Sequence, residues 1–279
     1  MIKNKTKYIK PKGTQFMFKN IGLIAFLIKI SPILLKFLKS AKVIKVALAS
    51  GSMLAYSYMF TWEFAVILLG AIVFHEYGHI TGMKQCGIKT KGIYLIPFVG
   101  GAAVPDRNFK TRTEEVYVSL MGPWYGLVLL LPFLFYGVVF ESNLAIGLAS
   151  FMALLNLFNL VPINPLDGGR VVKSIAFSLN STFGIIILAL GLIGAGYLVY
   201  LFEIWILLFV IVIGGLELFF EIMNKRELVK NVEYNMTKKH IITYSILYIM
   251  TVLLFISVIY FTASYPGADL ALKLIKDDL

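Results

Sequence analysis

Three residues near the end of an apolar stretch have the types and the spacing of a metal site. His75, Glu76 and His79 form the pattern H-E-x-x-H. On a helix, residues four apart lie on one face, so both imidazoles can bind one ion while Glu76 lies beside it. Zinc suits imidazole ligands, and a catalytic zinc ion has three protein ligands and one open position. The pattern therefore predicts a Zn2+ site that needs one more ligand.

Asp167 is the best candidate for that third ligand. It belongs to the segment NLVPINPLDGGR, which runs from Asn159 to Arg170. The two prolines break a helix and free backbone groups, which an apolar environment tolerates only where the backbone lines a cavity or is buried in protein. The two glycines after Asp167 let the backbone approach an ion or a substrate closely. Glu217 and Glu221, in a later apolar stretch, are the alternative third ligands.

The composition indicates that these residues lie in a membrane. Of the 279 residues, 59% are hydrophobic and 15% are charged, whereas soluble domains have about 25% charged residues. This composition excludes a water-soluble fold. Ionisable side chains within an apolar span are costly to insert and usually functional, which favours metal binding over a chance match.

Seven stretches are long and apolar enough to cross a bilayer, which requires about 20 residues. They cover residues 44–61, 63–83, 116–140, 142–162, 181–201, 203–222 and 241–264. We therefore expect an all-α polytopic membrane protein with about seven transmembrane helices. The segment 92–101 is too short to cross, and it predicts a short re-entrant or interfacial strand whose free edge could pair with an unwound substrate. A loop that dips into the interface is the alternative.

The positive charge indicates how the chain is oriented in the bilayer. The formal net charge is +11. In so hydrophobic a chain, basic residues more often mark cytoplasmic loops than a nucleic-acid surface, so we expect no nucleic-acid partner. With the amino terminus inside, every Lys and Arg except Lys273 and Lys276 lies on the cytoplasmic side. This distribution predicts a multi-pass protein of the cell membrane with a cytoplasmic amino terminus.

Two motifs together resemble the site-2 protease family of intramembrane zinc metalloproteases. They are HEYGH at 75–79 and N-x-x-P-x-x-P-L-D-G at 159–168, with weaker matches in SLMGP at 119–123 and PFVGG at 97–101. The resemblance covers about residues 62–222. One position departs from the family, which often has Asn where this chain has Gly126.

The resemblance implies a role for each motif residue. His75, His79 and Asp167 would be the zinc ligands. Glu76 would be the general base, and Asn159 would contact the substrate backbone or the developing oxyanion. The implied activity is that of an intramembrane zinc endopeptidase, which hydrolyses transmembrane or membrane-associated peptides near the cytoplasmic side.

Three regions follow from these assignments. Residues 1–45 form a basic cytoplasmic segment with an interfacial helix, and residues 46–222 form the membrane-embedded metalloprotease core. Residues 223–279 contain a cytoplasmic loop, an additional transmembrane helix and a short outer tail. The expected partners are the lipid bilayer and a peptide substrate.

Two other functions are compatible with the sequence. A metalloprotease that takes its third ligand from Glu217 or Glu221 would cut outside the hydrocarbon, but it would leave the P-L-D-G segment unexplained. A catalytically silent membrane binding or scaffold protein would retain the protease fold without needing its four intact metal-site residues.

Overall fold

The computed structural model describes residues 40–59, 61–97, 100–202, 207–230 and 234–265. Most of the predicted basic segment, with its interfacial helix, and the predicted outer tail lie outside these described residues. The chain divides into two compact units, residues 1–48 and 49–279. All of the predicted site residues belong to the second unit.

The described residues form helices and one hairpin. In chain order, the helices are α1 (Ala41–Met59), α2 (Trp62–Gln85), α3 (Arg112–Val139), α4 (Asn143–Asn159), α5 (Asp167–Leu179), α6 (Ser181–Phe202), α7 (Leu207–Lys230) and α8 (Lys238–Thr262). The strands are β1 (Thr90–Ile96) and β2 (Gly100–Pro105), between α2 and α3.

Four of the described helices are long and apolar enough to cross a membrane. They lie in α2, α3, α6 and α8, at Phe64–Gln85, Arg112–Val139, Ser181–Leu201 and Lys238–Thr262. The helix α4 is equally apolar but has only 17 residues. A mostly helical chain with several candidate membrane spans is thus confirmed, whereas the number of seven crossings stays a prediction.

The segment predicted as a short strand is part of a β-hairpin. Strands β1 and β2 are antiparallel, with Ile93 opposite Ala103 and Tyr94 opposite Ala102. The hairpin extends beyond the predicted range 92–101 because β2 continues to Pro105. No further strand pairs with it in the part of the chain that the structure describes.

Glycines bring α2 and α3 into close contact. A Cβ atom on Gly78 of α2 would overlap the backbone carbonyl of Met121 in α3, and one on Gly82 would lie 2.9 Å from the Met121 Cγ. Small residues let membrane helices approach until their backbones touch. This contact places the histidine-bearing part of α2 against the SLMGP segment of α3.

A tight turn delivers Asp167 to the same place. Helix α4 ends at Asn159, and the chain turns through residues 160–166 before α5 begins at Asp167. A Cβ atom on Gly168 would overlap the carbonyl of Leu160, so a side chain there would push α5 away from the turn. The predicted helix break is therefore present, and the glycine allows the following helix to fold back on it.

Candidate metal centre

The structure brings the three predicted metal ligands together. His75 Nε2 lies 3.0 Å from Asp167 Oδ2, and His79 Nε2 lies 3.2 Å from the same oxygen. The two Nε2 atoms are 3.1 Å apart. All three residues are buried, with 6 to 8% of their surface exposed. We call His75, His79 and Asp167 the metal cluster.

The spacing of these atoms fits a tetrahedral zinc ion. Ligand atoms about 2.0 to 2.1 Å from a tetrahedral centre are about 3.3 Å from one another. The three observed separations, 3.0, 3.1 and 3.2 Å, are close to this value. Two imidazole nitrogens and one carboxylate oxygen form the donor set of a catalytic zinc site, with the fourth position free for water or substrate.

The second ring nitrogen of each histidine has a partner of its own. His79 Nδ1 lies 2.8 Å from the backbone carbonyl oxygen of Val118, and His75 Nδ1 lies 2.9 Å from Asn156 Oδ1. Such partners hold the rings of metal ligands in place. Sequence reasoning missed both. An amide side chain in the middle of an apolar sequence was a usable signal for Asn156, whereas a backbone carbonyl leaves no signal in the sequence.

Gly122 explains the weak SLMGP match. A Cβ atom at this position would overlap His79 Nε2 and lie 2.7 Å from His75 Nε2. Only a glycine lets the α3 backbone lie this close to the two ligand atoms. The motif therefore supplies space for the metal cluster rather than a chemical group.

The hairpin lies against the predicted general base. The backbone N–H of Ala103 in β2 donates a hydrogen bond of 2.7 Å to Glu76 Oε2. A Cβ atom on Gly101 would lie 2.8 Å from Glu76 Oε1, so the glycine of the PFVGG match leaves room for the carboxylate. The strand thus holds one oxygen of Glu76 and leaves the other without a strand partner.

Asn159 occupies the last position of α4 and is partly buried. The amide that contacts a ligand belongs to Asn156, one turn earlier on the same helix. In the described part of the chain, no hydrogen bond joins Asn159 to the metal cluster. Its role at the substrate therefore stays a prediction.

A second group of buried charges holds the alternative ligands. Lys173 Nζ lies 2.9 Å from Glu115 Oε1 and also pairs with Glu217. Arg112 pairs with Glu221 at 3.7 Å. We call these five residues the ion cluster. Glu217 and Glu221 thus face cations in the ion cluster. Among the described residues, the group that could hold a metal ion consists of His75, His79 and Asp167, without either glutamate.

Electrostatics keep Lys173 charged. Burial by itself lowers the pKa of its ammonium group, but the carboxylates of Glu115 and Glu217 raise it by more, so that the net pKa lies above the ordinary value. A charged Lys173 balances part of the negative charge of Glu115 and Glu217. The ion cluster therefore contains cations of its own.

Comparison with known proteins supports the interpretation of the histidine-containing region as part of a zinc metalloprotease. Residues 63–152, which include both histidines, match the family model of peptidase family M50. Peptidase family M50 is the site-2 protease family, so the resemblance that the two motifs indicated is confirmed.

Three similar proteins carry names of one type. The chain is 35% identical over 138 residues to "Putative zinc metalloprotease sll0528" of Synechocystis, covering 48% of this chain and 36% of that protein. It is 27% identical over 159 residues to "Zinc metalloprotease MJ0392" of Methanocaldococcus jannaschii, covering 50% and 46%. It is 30% identical over 118 residues to "Putative zinc metalloprotease Rip3" of Mycobacterium tuberculosis, covering 39% and 30%. Each match spans less than half of the relative.

Proposed function

We propose that this chain is a membrane-embedded zinc endopeptidase that hydrolyses transmembrane or membrane-associated peptides near the cytoplasmic side. The observation that carries the proposal is the metal cluster, in which three potential ligand atoms lie 3.0 to 3.2 Å apart. Glu76 follows His75 directly on the same helix. The likeness to proteins named zinc metalloproteases supports the metal and the reaction class.

The proposed chemistry divides between the ion and the chain. A zinc ion supplies Lewis acidity, which polarises the scissile carbonyl and lowers the pKa of water to about 7. Glu76 takes the proton of the attacking water and returns it to the leaving amine. Since the Ala103 N–H occupies Oε2, we assign the proton transfer to Oε1.

Two further groups are proposed to handle the substrate. A transmembrane helix hides its carbonyls in its own hydrogen bonds, so it must unwind before water can attack. An unwound segment can add to a free edge of the hairpin. The second strand of this hairpin contacts Glu76 through the backbone N–H of Ala103. Asn159 is proposed to donate a hydrogen bond to the substrate carbonyl near the turn that leads to Asp167.

We further propose seven crossings with the amino terminus in the cytoplasm, with residues 46–222 as the catalytic core between the two flanking regions. Helix α2 then runs inward. His75 is 13 residues from the start of α2, which corresponds to about 20 Å along a helix and to the cytoplasmic half of the bilayer. Helix α4 also runs inward, and the turn after it returns Asp167 to the depth of the histidines.

The decisive experiment compares the parent protein with Glu76→Gln. Both are purified in detergent, their bound zinc is measured, and both are incubated with a pool of single-span membrane peptides. We expect zinc in both proteins and cleavage by the parent alone. Zinc in both with cleavage in neither would favour a silent scaffold, and no zinc in either would overturn the metal site.

A labelling experiment tests the topology separately. Single cysteines replace Asn108 or Asn143 in a Cys86→Ser background, and intact cells are treated with a membrane-impermeant thiol reagent. We expect labelling at position 143, the first residue of α4, and protection at position 108, between the hairpin and α3. The reverse pattern would overturn the proposed cleavage near the cytoplasmic side without affecting the assignment of the metal ligands.

A further inference from the structure

The orientation of the Asn156 amide is fixed by a contact within its own helix. Its Nδ2 lies 2.8 Å from the backbone carbonyl oxygen of Met152. A carbonyl oxygen can only accept a hydrogen bond, so the NH2 group must point toward Met152. The other end of the amide, Oδ1, therefore faces His75 Nδ1 at 2.9 Å.

This orientation determines which nitrogen of His75 can bind a metal. The amide oxygen is also only an acceptor, so His75 Nδ1 must carry the proton. A neutral imidazole has a single N–H, so its Nε2 keeps a lone pair. That nitrogen is the one that lies 3.0 Å from Asp167 Oδ2. The carbonyl of Val118 has the same effect on His79.

The amide fits only because Gly126 lies opposite it. A Cβ atom on Gly126 of α3 would overlap Oδ1, Cγ and Nδ2 of Asn156. Position 126 is the one at which this chain departs from the family, which often has Asn there. In this chain an amide on α4 thus fills the space that a side chain at position 126 of α3 would take.

We propose that Asn156 is a positioning residue for the metal centre, which holds His75 in the tautomer that presents Nε2 to zinc, and that Gly126 and Asn156 form a matched pair. If the Asn156 side chain were removed, an asparagine at position 126 would supply the amide oxygen that accepts the hydrogen bond from His75. The inference rests on the proposed zinc site, and it adds a residue to that site that does not touch the ion.

The test measures zinc affinity by competition with a chromogenic chelator, using the full chain in detergent. Asn156→Leu removes the acceptor at similar volume, whereas Asn156→Asp keeps an acceptor oxygen. We expect the leucine variant to bind zinc about 10- to 100-fold more weakly, the cost typical of losing such a partner, and the aspartate variant to stay close to the parent. Asn159→Leu, the same change one turn later, is the control and should leave zinc affinity unchanged.

A rescue experiment separates positioning from general packing. Asn156→Ala should weaken zinc binding, and adding Gly126→Asn should restore it, because the new amide enters the space vacated on α4. Gly126→Asn alone should weaken zinc binding, since the two side chains would overlap. Failure of the double variant to exceed Asn156→Ala would overturn the matched pair, even if an individual variant folds poorly.

The outcomes distinguish this inference from the proposed function. Equal zinc affinity in Asn156→Leu and the parent would overturn the positioning role of Asn156 and leave the protease proposal standing. A parent that binds no zinc would overturn both.

Discussion

The metal cluster and the ion cluster are both buried polar groups, but they differ in how their charges are balanced. In the metal cluster, two imidazole nitrogens and a carboxylate oxygen lie 3.0 to 3.2 Å apart. In the ion cluster, the ammonium group of Lys173 lies between the carboxylates of Glu115 and Glu217. The first cluster is suited to an added cation, whereas the second contains its own.

Helix α5 connects the two clusters. It begins with Asp167, and Lys173 lies six residues later on the same helix. Glu115 belongs to α3 and Glu217 to α7, so the ion cluster ties α5 to two other helices. Ser174 adds a hydrogen bond of 2.8 Å to Glu115. The ion cluster thus connects α3 and α7 to the helix that begins with Asp167 of the metal cluster.

The largest expected effect is the loss of zinc from Asp167→Ala. Loss of a partner outside the ligand set costs about 10- to 100-fold in metal affinity, and removal of a ligand should cost more than that. Glu217→Ala and Glu221→Ala should retain parental zinc affinity because both carboxylates face cations in the ion cluster. Metal analysis after gel filtration measures all three. Equal loss from Glu221→Ala would contradict the separation of the clusters.

The second prediction concerns Lys173→Met, which breaks the ion cluster. The change leaves the Glu115 carboxylate buried without its nearest cation, a situation that typically costs about 3 to 5 kcal/mol. We expect the free energy of unfolding in mixed micelles to fall by this amount. Lys238→Met, at the exposed start of α8, is the control and should have little effect.

The pH dependence of that loss follows from the raised pKa of Lys173. A raised pKa means that the stabilisation is complete below the unfolded pKa of about 10.4 and disappears only as the pH rises through the higher folded value. The difference in unfolding free energy between the parent and Lys173→Met should therefore not shrink between about pH 6 and 9. A difference that shrinks within this range would show that the lysine is not held charged.

The third prediction places Asn159 outside the metal cluster. Asn159→Ala should keep parental zinc affinity and reduce proteolysis about 100- to 1000-fold, the cost typical of losing one oxyanion donor, or about 2.7 to 4 kcal/mol. Peptide cleavage and metal analysis on the same preparation measure the two effects. Full activity would reduce Asn159 to a packing residue at the end of α4.

The sequence was sufficient for the metal cluster because its signals are local. The H-E-x-x-H spacing requires only one helix, and the break around the two prolines marks the segment of Asp167. The helices were predictable for a similar reason, since long apolar runs determine them one at a time. The short apolar segment 92–101 predicted a strand, but it did not indicate that this strand pairs with a second one that ends at Pro105.

The remaining parts of the site depend on contacts between distant segments. The partner of Glu76 is a backbone amide 27 residues away, and backbone groups have no sequence signature. The sequence left Glu217 and Glu221 as alternative third ligands, because it does not show that they meet cations of α5 and α3. Which of two asparagines one turn apart faces His75 depends on the rotation of α4, which is set by packing against α3.

The smallest expected effect concerns α8, which lies outside residues 63–152 and contacts the turn before Asp167. The hydroxyl of Tyr248 donates a hydrogen bond of 2.6 Å to the carbonyl of Leu160, the first residue after α4. That carbonyl is freed by the helix break before Asp167, and Leu160 is only 1% exposed. Helix α8 thus satisfies a backbone group in the turn that positions the third ligand.

Removal of this hydroxyl in Tyr248→Phe should destabilise the protein by about 1 kcal/mol, the typical net value of one hydrogen bond. For a chain of this size the loss corresponds to a fall in Tm of about 2 to 4 °C. Tyr260→Phe is the matched control, because it makes the same change on α8 at a residue that is 84% exposed. If the turn also depends on Tyr248 for its geometry, zinc affinity should fall in Tyr248→Phe but not in Tyr260→Phe. Equal Tm values for the two variants would show that the Leu160 carbonyl does not need α8, and the turn would then owe its shape to its prolines and glycines alone.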